Sequence, residues 1–316
     1  MTTSVHKAAT TLDAVRERGG VRAVVSQGIR GLSLPDGRGS WTGLDADVAR
    51  AVATAVLGDA GAVEWLPTDP GERLARLTSG AADVAACNLS WTLGREASHP
   101  VLFAGVTCYD GEGFLVRTAD GISRPEQLAG RRVAIQAGTT TAGNLAAWFG
   151  ARGLRVEPVA YTTPAEALAG YASGACAAYV LDRIALAGAR AALPRPSDHT
   201  VLEAAISREP MALAVRDDDP VWFRVCRWVL QFLFAAEHAV HESGSHQAAY
   251  TAAALAGRHG PALGLDEDWA LRVLDAVGTY GDVYERNLGA ASGLDVSRGP
   301  NAAWADGGLH YPLPLH

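Results

Sequence analysis

One feature constrains this chain more than any other: an alternation of strand and helix patterns that runs once, stops, and begins again in the middle of the sequence. Val21–Val25 is a β-branched run leading into a Gly- and Ser-rich loop. A helical pattern over residues 45–57 follows, with Asp45 and Asp47 in its first turn, where carboxylates favour the helix dipole. Residues 63–66 read as a strand, 71–79 as a helix, and 84–86 as a strand ending at Cys87 and Asn88. A βαβαβ order of this kind predicts a mainly parallel sheet. Residues 113–117 are apolar and extended, and 118–124 are rich in turn formers. The second series then begins, with strands at 132–136, 155–159 and 177–181 and helices at 140–149 and 164–173. Another extended run at 211–215 precedes amphipathic helices over 220–238 and 266–277.

A restart flanked by two extended segments predicts a discontinuous domain. One lobe comprises residues 19–116 plus 211–316, the other is inserted over 117–210, and two chain crossings form a hinge. Residues 1–18 make a polar leader and a short helix. Parallel sheets bind ligands beyond the carboxyl ends of their strands, so the expected site is the cleft where two such edges face each other.

Composition narrows the chemistry. A length of 316 residues suits two lobes. No apolar run approaches the roughly 20 residues of a membrane span, so no membrane insertion is expected. The net charge of −7 carries no basic stripe, which argues against nucleic acid as partner. Lys7 is the only lysine and lies in the leader, which closes off Schiff-base chemistry, PLP enzymes and the Gly-Lys-Ser/Thr phosphate loop. Cys87, Cys108, Cys176 and Cys226 are dispersed without zinc spacing. His238, His241 and His246 lack the fixed spacing and second shell of a metal site, so neither metal nor cofactor is expected. The leader has no apolar core or cleavage site. As written the chain reads as cytoplasmic, and as periplasmic or extracellular if its N-terminus is truncated.

Three segments carry candidate site residues. The strand ending at Ala86 runs out into Asn88, Leu89, Ser90, Trp91, Thr92 and Arg95, which sets hydrogen-bonding groups and a guanidinium at a strand end. Arginine grips a carboxylate bidentately, although an isolated arginine reads more readily as a solvated surface residue. Gln136 to Thr141 follows a strand and opens a helix, so Thr139 and Thr140 suit a carboxylate or serve as ordinary caps. Asp182 ends a strand and either receives an ammonium or caps the next helix. For catalysis the candidates are Cys87, Glu96, His99 and Glu112, none of them in a specific motif.

These residues resemble bacterial extracellular solute-binding protein family 3, and within it the general L-amino-acid-binding proteins of ABC importers. The similarity rests on Thr11-Leu12-Asp13-Ala14-Val15, Val25-Ser26-Gln27-Gly28, Trp41-Thr42-Gly43-Leu44-Asp45-Ala46-Asp47, Trp91-Thr92 with Arg95, Phe103-Ala104-Gly105-Val106, Tyr109-Asp110-Gly111 and Gln136 to Thr141. It continues through Gly264-Leu265-Asp266, Asp268-Trp269, Tyr280-Gly281, Tyr284 to Asn287 and Asn301 to Trp304. The resemblance implies an α/β, two-lobed clamshell of the type II periplasmic-binding-protein fold. Mixed, mainly parallel sheets would be flanked by helices, with a C-terminal helical extension. It implies that Arg95 and Thr140 hold an α-carboxylate with help from the N–H groups near Thr139. Asp182, Ser90 and the Asn88 carbonyl would hold the α-ammonium, and Trp91 would border the ligand side chain. The ligand would be an amino acid or near analogue and the protein partner an ABC permease. Departures fall at Cys87, at Ala142, around Leu181 to Ile184, and at Ala134, where a cysteine near Cys176 is expected. The alternative function is a cytoplasmic lyase, dehydratase or cyclase on the same scaffold.

Overall fold

The computed structural model describes residues 10–316; most of the polar leader lies outside the described residues. Among the described residues are twelve strands: β1 (Val21–Val25), β2 (Leu34–Pro35), β3 (Trp41–Thr42), β4 (Val63–Pro67), β5 (Val84–Ala85), β6 (Val101–Asp110), β7 (Glu112–Arg117), β8 (Arg132–Gln136), β9 (Glu157–Tyr161), β10 (Ala178–Asp182), β11 (His199–Val201) and β12 (Glu209–Arg216). They build two lobes. The first sheet has the order β4-β1-β5-β12-β6 and the second β11-β7-β10-β8-β9. In the first, β4, β1 and β5 run parallel while β12 lies antiparallel between β5 and β6. In the second, β8, β9 and β10 run parallel and β7 is antiparallel to β10. Both sheets are therefore mixed, built on one plan: three parallel strands closed by an antiparallel strand that leads to or from the other lobe.

The ten-residue β6 escapes a reading of the sequence. It is covered on both faces, so Val101–Asp110 shows no clean alternation. Gly105 interrupts it because the helix Pro220–Ser243 packs so close that a Cβ there would lie 2.9 Å from Leu230 Cδ2. That helix is capped by Asp219, whose carboxylate accepts from the backbone N–H of Val221 (3.0 Å) and Trp222 (2.9 Å), and it stops at the left-handed Gly244.

The helix Leu44–Leu57 is almost wholly buried. The helix Trp269–Val277 covers the side turned away from the sheet, so small apolar residues suit both faces. Asp45 and Asp47 do more than favour its dipole. Asp47 accepts from Arg286 Nη2 (2.7 Å) and Asn287 Nδ2 (2.7 Å), and Asp45 turns toward the cleft. Residues 280–310 then clasp the end of β6. Asn301 both accepts from the Tyr109 N–H (2.6 Å) and donates to its carbonyl (2.8 Å), and the Tyr280 hydroxyl donates to the Thr107 carbonyl (2.8 Å).

Immediately beyond that clasp the chain crosses between sheets. The outward crossing is Asp110-Gly111-Glu112 and the return is Ser207 to Glu209. The two are tied together, with the Ile206 N–H donating to the Glu112 carbonyl (2.8 Å) and the Glu112 N–H accepted by Ser207 Oγ (3.1 Å). All four cysteines are buried and free, and none of the described helices is long and apolar enough to cross a membrane.

Candidate functional site

Between the lobes lies a narrow cavity of about 30 Å³. Its lining includes Asn88, Ser90, Arg95, Thr139, Thr140 and Asp182, six positions expected from the sequence, together with Arg73, Glu112, Gln136 and Thr141. The first lobe supplies the guanidiniums. Arg95 comes from the short helix Leu93–Ser98, which Thr92 caps through the Arg95 N–H (3.2 Å), and its Nη1 donates to the Ser90 carbonyl (2.6 Å). Arg73 opens the helix Arg73–Thr78 after β4 and is only 5% exposed. Its Nη1 donates to the Cys87 carbonyl (2.6 Å) and to Asn88 Oδ1 (3.2 Å). Neither guanidinium pairs with a carboxylate among the described residues. Arg95 is pulled below its ordinary pKa by burial and by the positive charge of Arg73.

The opposite wall and the hinge are acidic. Asp182 ends β10 and is the residue before the helix Arg183–Ala191, yet its side chain makes no capping bond. It accepts instead from Asn88 Nδ2 across the cleft (3.0 Å). Burial raises its pKa well above the carboxylate range, and Asp110, Glu112 and Glu209 add to the effect. Glu112 and Glu209, one on each crossing, share a single donor: Asn144 Nδ2 lies 3.0 Å from Glu112 Oε2 and 2.9 Å from Glu209 Oε1. The Thr141 hydroxyl also donates to Glu112. Burial holds Glu112 up at about 7. Behind the first wall, Asp45 accepts from the Asn88 N–H (2.8 Å) and is likewise raised by burial to about 7.

The Gln136–Thr141 turn provides the second lobe's neutral donors. Thr139 Oγ1 donates to the Gln136 carbonyl (2.8 Å), which fixes the turn, while Thr140 precedes the helix Thr141–Gly150 without using its own hydroxyl as a cap. The lobes touch here, since a Cβ on Gly138 (φ 75°) would lie 3.1 Å from the Gly71 nitrogen.

Four expected positions lie elsewhere. Trp91 is outside the cavity lining, stacked on Phe103 at 5.4 Å with its indole N–H donated to Glu96 (2.8 Å). Glu96 is thereby engaged, and His99 is exposed beyond the helix end. Cys87 is 1% exposed within an apolar cluster, and burial pushes its thiol up to about 11, which keeps it protonated and poorly nucleophilic. Of the four catalytic candidates only Glu112 faces the cavity. Away from the cleft, His238 contacts Glu242 (3.3 Å) and His241 contacts Asp306 (3.6 Å).

Sequence reasoning missed Arg73, Glu209 and Asn144. Arg73 was within reach of it, because the helix after β4 opens at a strand's carboxyl end just as the 88–95 segment does.

A two-lobed fold with a charged cleft at the strand ends defines a solute-binding protein, and comparison with known proteins agrees. Residues 21–290 match the family of bacterial extracellular solute-binding proteins, family 3. The chain belongs to that family. It is 37% identical to the general L-amino acid-binding periplasmic protein AapJ of Rhizobium johnstonii, over 97% of this chain and 93% of that one. It is also 37% identical to the glutamate/glutamine/aspartate/asparagine-binding protein BztA of Rhodobacter capsulatus, over 97% and 94%. Among solved structures, an ABC-transporter periplasmic binding protein from Brucella ovis with glutathione bound superposes with a TM-score of 0.91 at 38% identity, covering 98% of this chain and all of that one.

Proposed function

We propose that the chain is the ligand-capturing component of an ABC importer, working outside the cytoplasmic membrane, and that it clamps an α-amino acid or a close derivative between its lobes. One observation carries this reading: two guanidiniums without carboxylate partners face a carboxylate without a cationic partner across the same cavity. A zwitterion satisfies both walls at once, and only when they are together. Arg95 and Thr140 take the α-carboxylate, with the N–H groups of the Thr139 turn, and Asp182, Ser90 and the Asn88 carbonyl take the ammonium. Arg73 is left to face the ligand side chain, which favours an acidic or amide-bearing one. The name of BztA and the glutathione in the Brucella ovis structure are in keeping with that preference.

A thermal-shift and calorimetric screen of amino acids and their deaminated analogues tests the proposal. At least one amino acid should raise the melting temperature and be recovered intact, and Arg95→Ala should weaken its binding at least ~100-fold. Indifference to every α-carboxylate, or chemical conversion of the bound amino acid, overturns it.

A further inference from the structure

Asn88 does more than offer a carbonyl. Its backbone sits in the left-handed region at φ 45°, which asparagine tolerates better than most residues. Three bonds fix it there. The N–H goes to Asp45 Oδ2 (2.8 Å), Oδ1 accepts from Arg73 Nη1 (3.2 Å), and Nδ2 donates to Asp182 Oδ2 (3.0 Å). Arginine can only donate and a carboxylate accepts, so the amide has one consistent orientation: oxygen toward Arg73, nitrogen toward Asp182. The amide thus lies between a guanidinium of the first lobe and a carboxyl acceptor of the second, with the polarity of a small zwitterion. The bond to Asp182 joins positions 94 residues apart on opposite sheets. Asp182 Oδ1 keeps no partner among the described residues.

From this arrangement we infer that the Asn88 side chain is an interlobe latch and a positioning residue. It holds the lobes together through Asp182 Oδ2 in the absence of any amino acid, and it leaves Asp182 Oδ1 aimed at an incoming ammonium. The first half stands on the geometry alone; the second rests on the function proposed above. A contact present only when the lobes meet favours the closed form whether or not a ligand is there. A hydrogen bond to a charged group shifts such an equilibrium by about tenfold or more. The chain should therefore sample closed conformations before ligand arrives, and ligand should find Asp182 already oriented.

Small-angle X-ray scattering on the full chain without amino acid tests the latch directly. Asn88→Gly keeps the left-handed turn and deletes the amide, while Asn88→Asp keeps the size and the acceptor toward Arg73 but sets two carboxylates face to face. Both variants should have a larger radius of gyration than the parent, N88D the larger of the two. Calorimetry with the tightest amino acid found in the screen should show N88G weakened by about tenfold. If parent, N88G and N88D scatter identically without ligand, the latch is overturned. If the variants expand but no amino acid binds any of the three, the latch stands and the amino-acid reading falls. Expansion with unchanged affinity in N88G overturns the positioning half alone.

Discussion

The two walls of the cleft are built from opposite charges and held by opposite means. On the first lobe, Arg73 and Arg95 rest on backbone carbonyls and a side-chain amide, which accept from the guanidiniums without neutralising them. On the second lobe and the hinge, Asp182, Glu112 and Glu209 are held by amides and hydroxyls, which donate without neutralising. Elsewhere the chain pairs its buried charges directly, as Asp83 with Arg18 and Arg22, or Asp47 with Arg286. Other buried carboxylates, Asp219 and Asp45, rest on backbone N–H groups, so what sets the cleft apart is that guanidiniums and carboxyl groups without ion-pair partners face each other there, an arrangement that points to a function stability alone does not supply. The neutral supports keep each wall in place while reserving its charge.

This contrast can be broken most severely from the acidic side. Asp182→Asn keeps the shape of the wall and removes the carboxylate proposed to meet an ammonium, so amino-acid affinity should fall by about 100-fold. Deaminated analogues should lose much less. Equal losses for both ligand types in calorimetry would mean that Asp182 does not read the ammonium. A smaller and more selective effect is expected from Arg73→Met. Affinity for acidic or amide-bearing amino acids should fall by ~10-fold, and affinity for aliphatic ones should change little. Competition between glutamate and leucine for each variant measures that selectivity.

The mildest effect concerns pH. Asp45 and Glu112 sit at about 7 in the folded chain, against ordinary values of 3.8 and 4.5. The folded chain keeps their protons over a range in which the unfolded chain has released them. Their contribution to stability is therefore complete below about pH 4 and is lost as pH rises through about 7. The melting temperature should drop by ~5 °C between about pH 5 and pH 8, and Glu112→Gln should flatten part of that slope.

Much of the fold was legible because hydrophobic periodicity survives wherever one face of an element meets solvent. It failed at β6, buried on both faces and interrupted by Gly105, and it stopped short on the helix Pro220–Ser243. The cavity lining was legible at strand ends, where Asn88, Ser90, Arg95, Thr140 and Asp182 stand in runs of polar residues. Asn144 was not, because its partners Glu112 and Glu209 are 32 and 65 residues away and meet it only when both crossings fold beside one helix. Trp91 goes the other way: a conspicuous aromatic next to cavity-lining residues, turned instead onto Phe103. Arg73 stands at a strand's carboxyl end, as the 88–95 segment does, but its helix reads as an ordinary exposed one, and the packing of that helix on the first sheet is what buries the charge.

The place of β12 between β5 and β6 has a consequence for synthesis of the chain. The second sheet is drawn from one continuous stretch, β7 to β11, and can close as soon as residue 201 is available. The first sheet lacks an interior strand until Glu209–Arg216 emerges, so β5 and β6 present unpaired edges while the whole second lobe is being made. Long-range pairings of this kind are slow to form and prone to aggregation. The first lobe, which carries both arginines, is thus the later to fold and the more in need of protection on the way, and a chain cut before residue 216 would retain an orderly second lobe with nothing to close against.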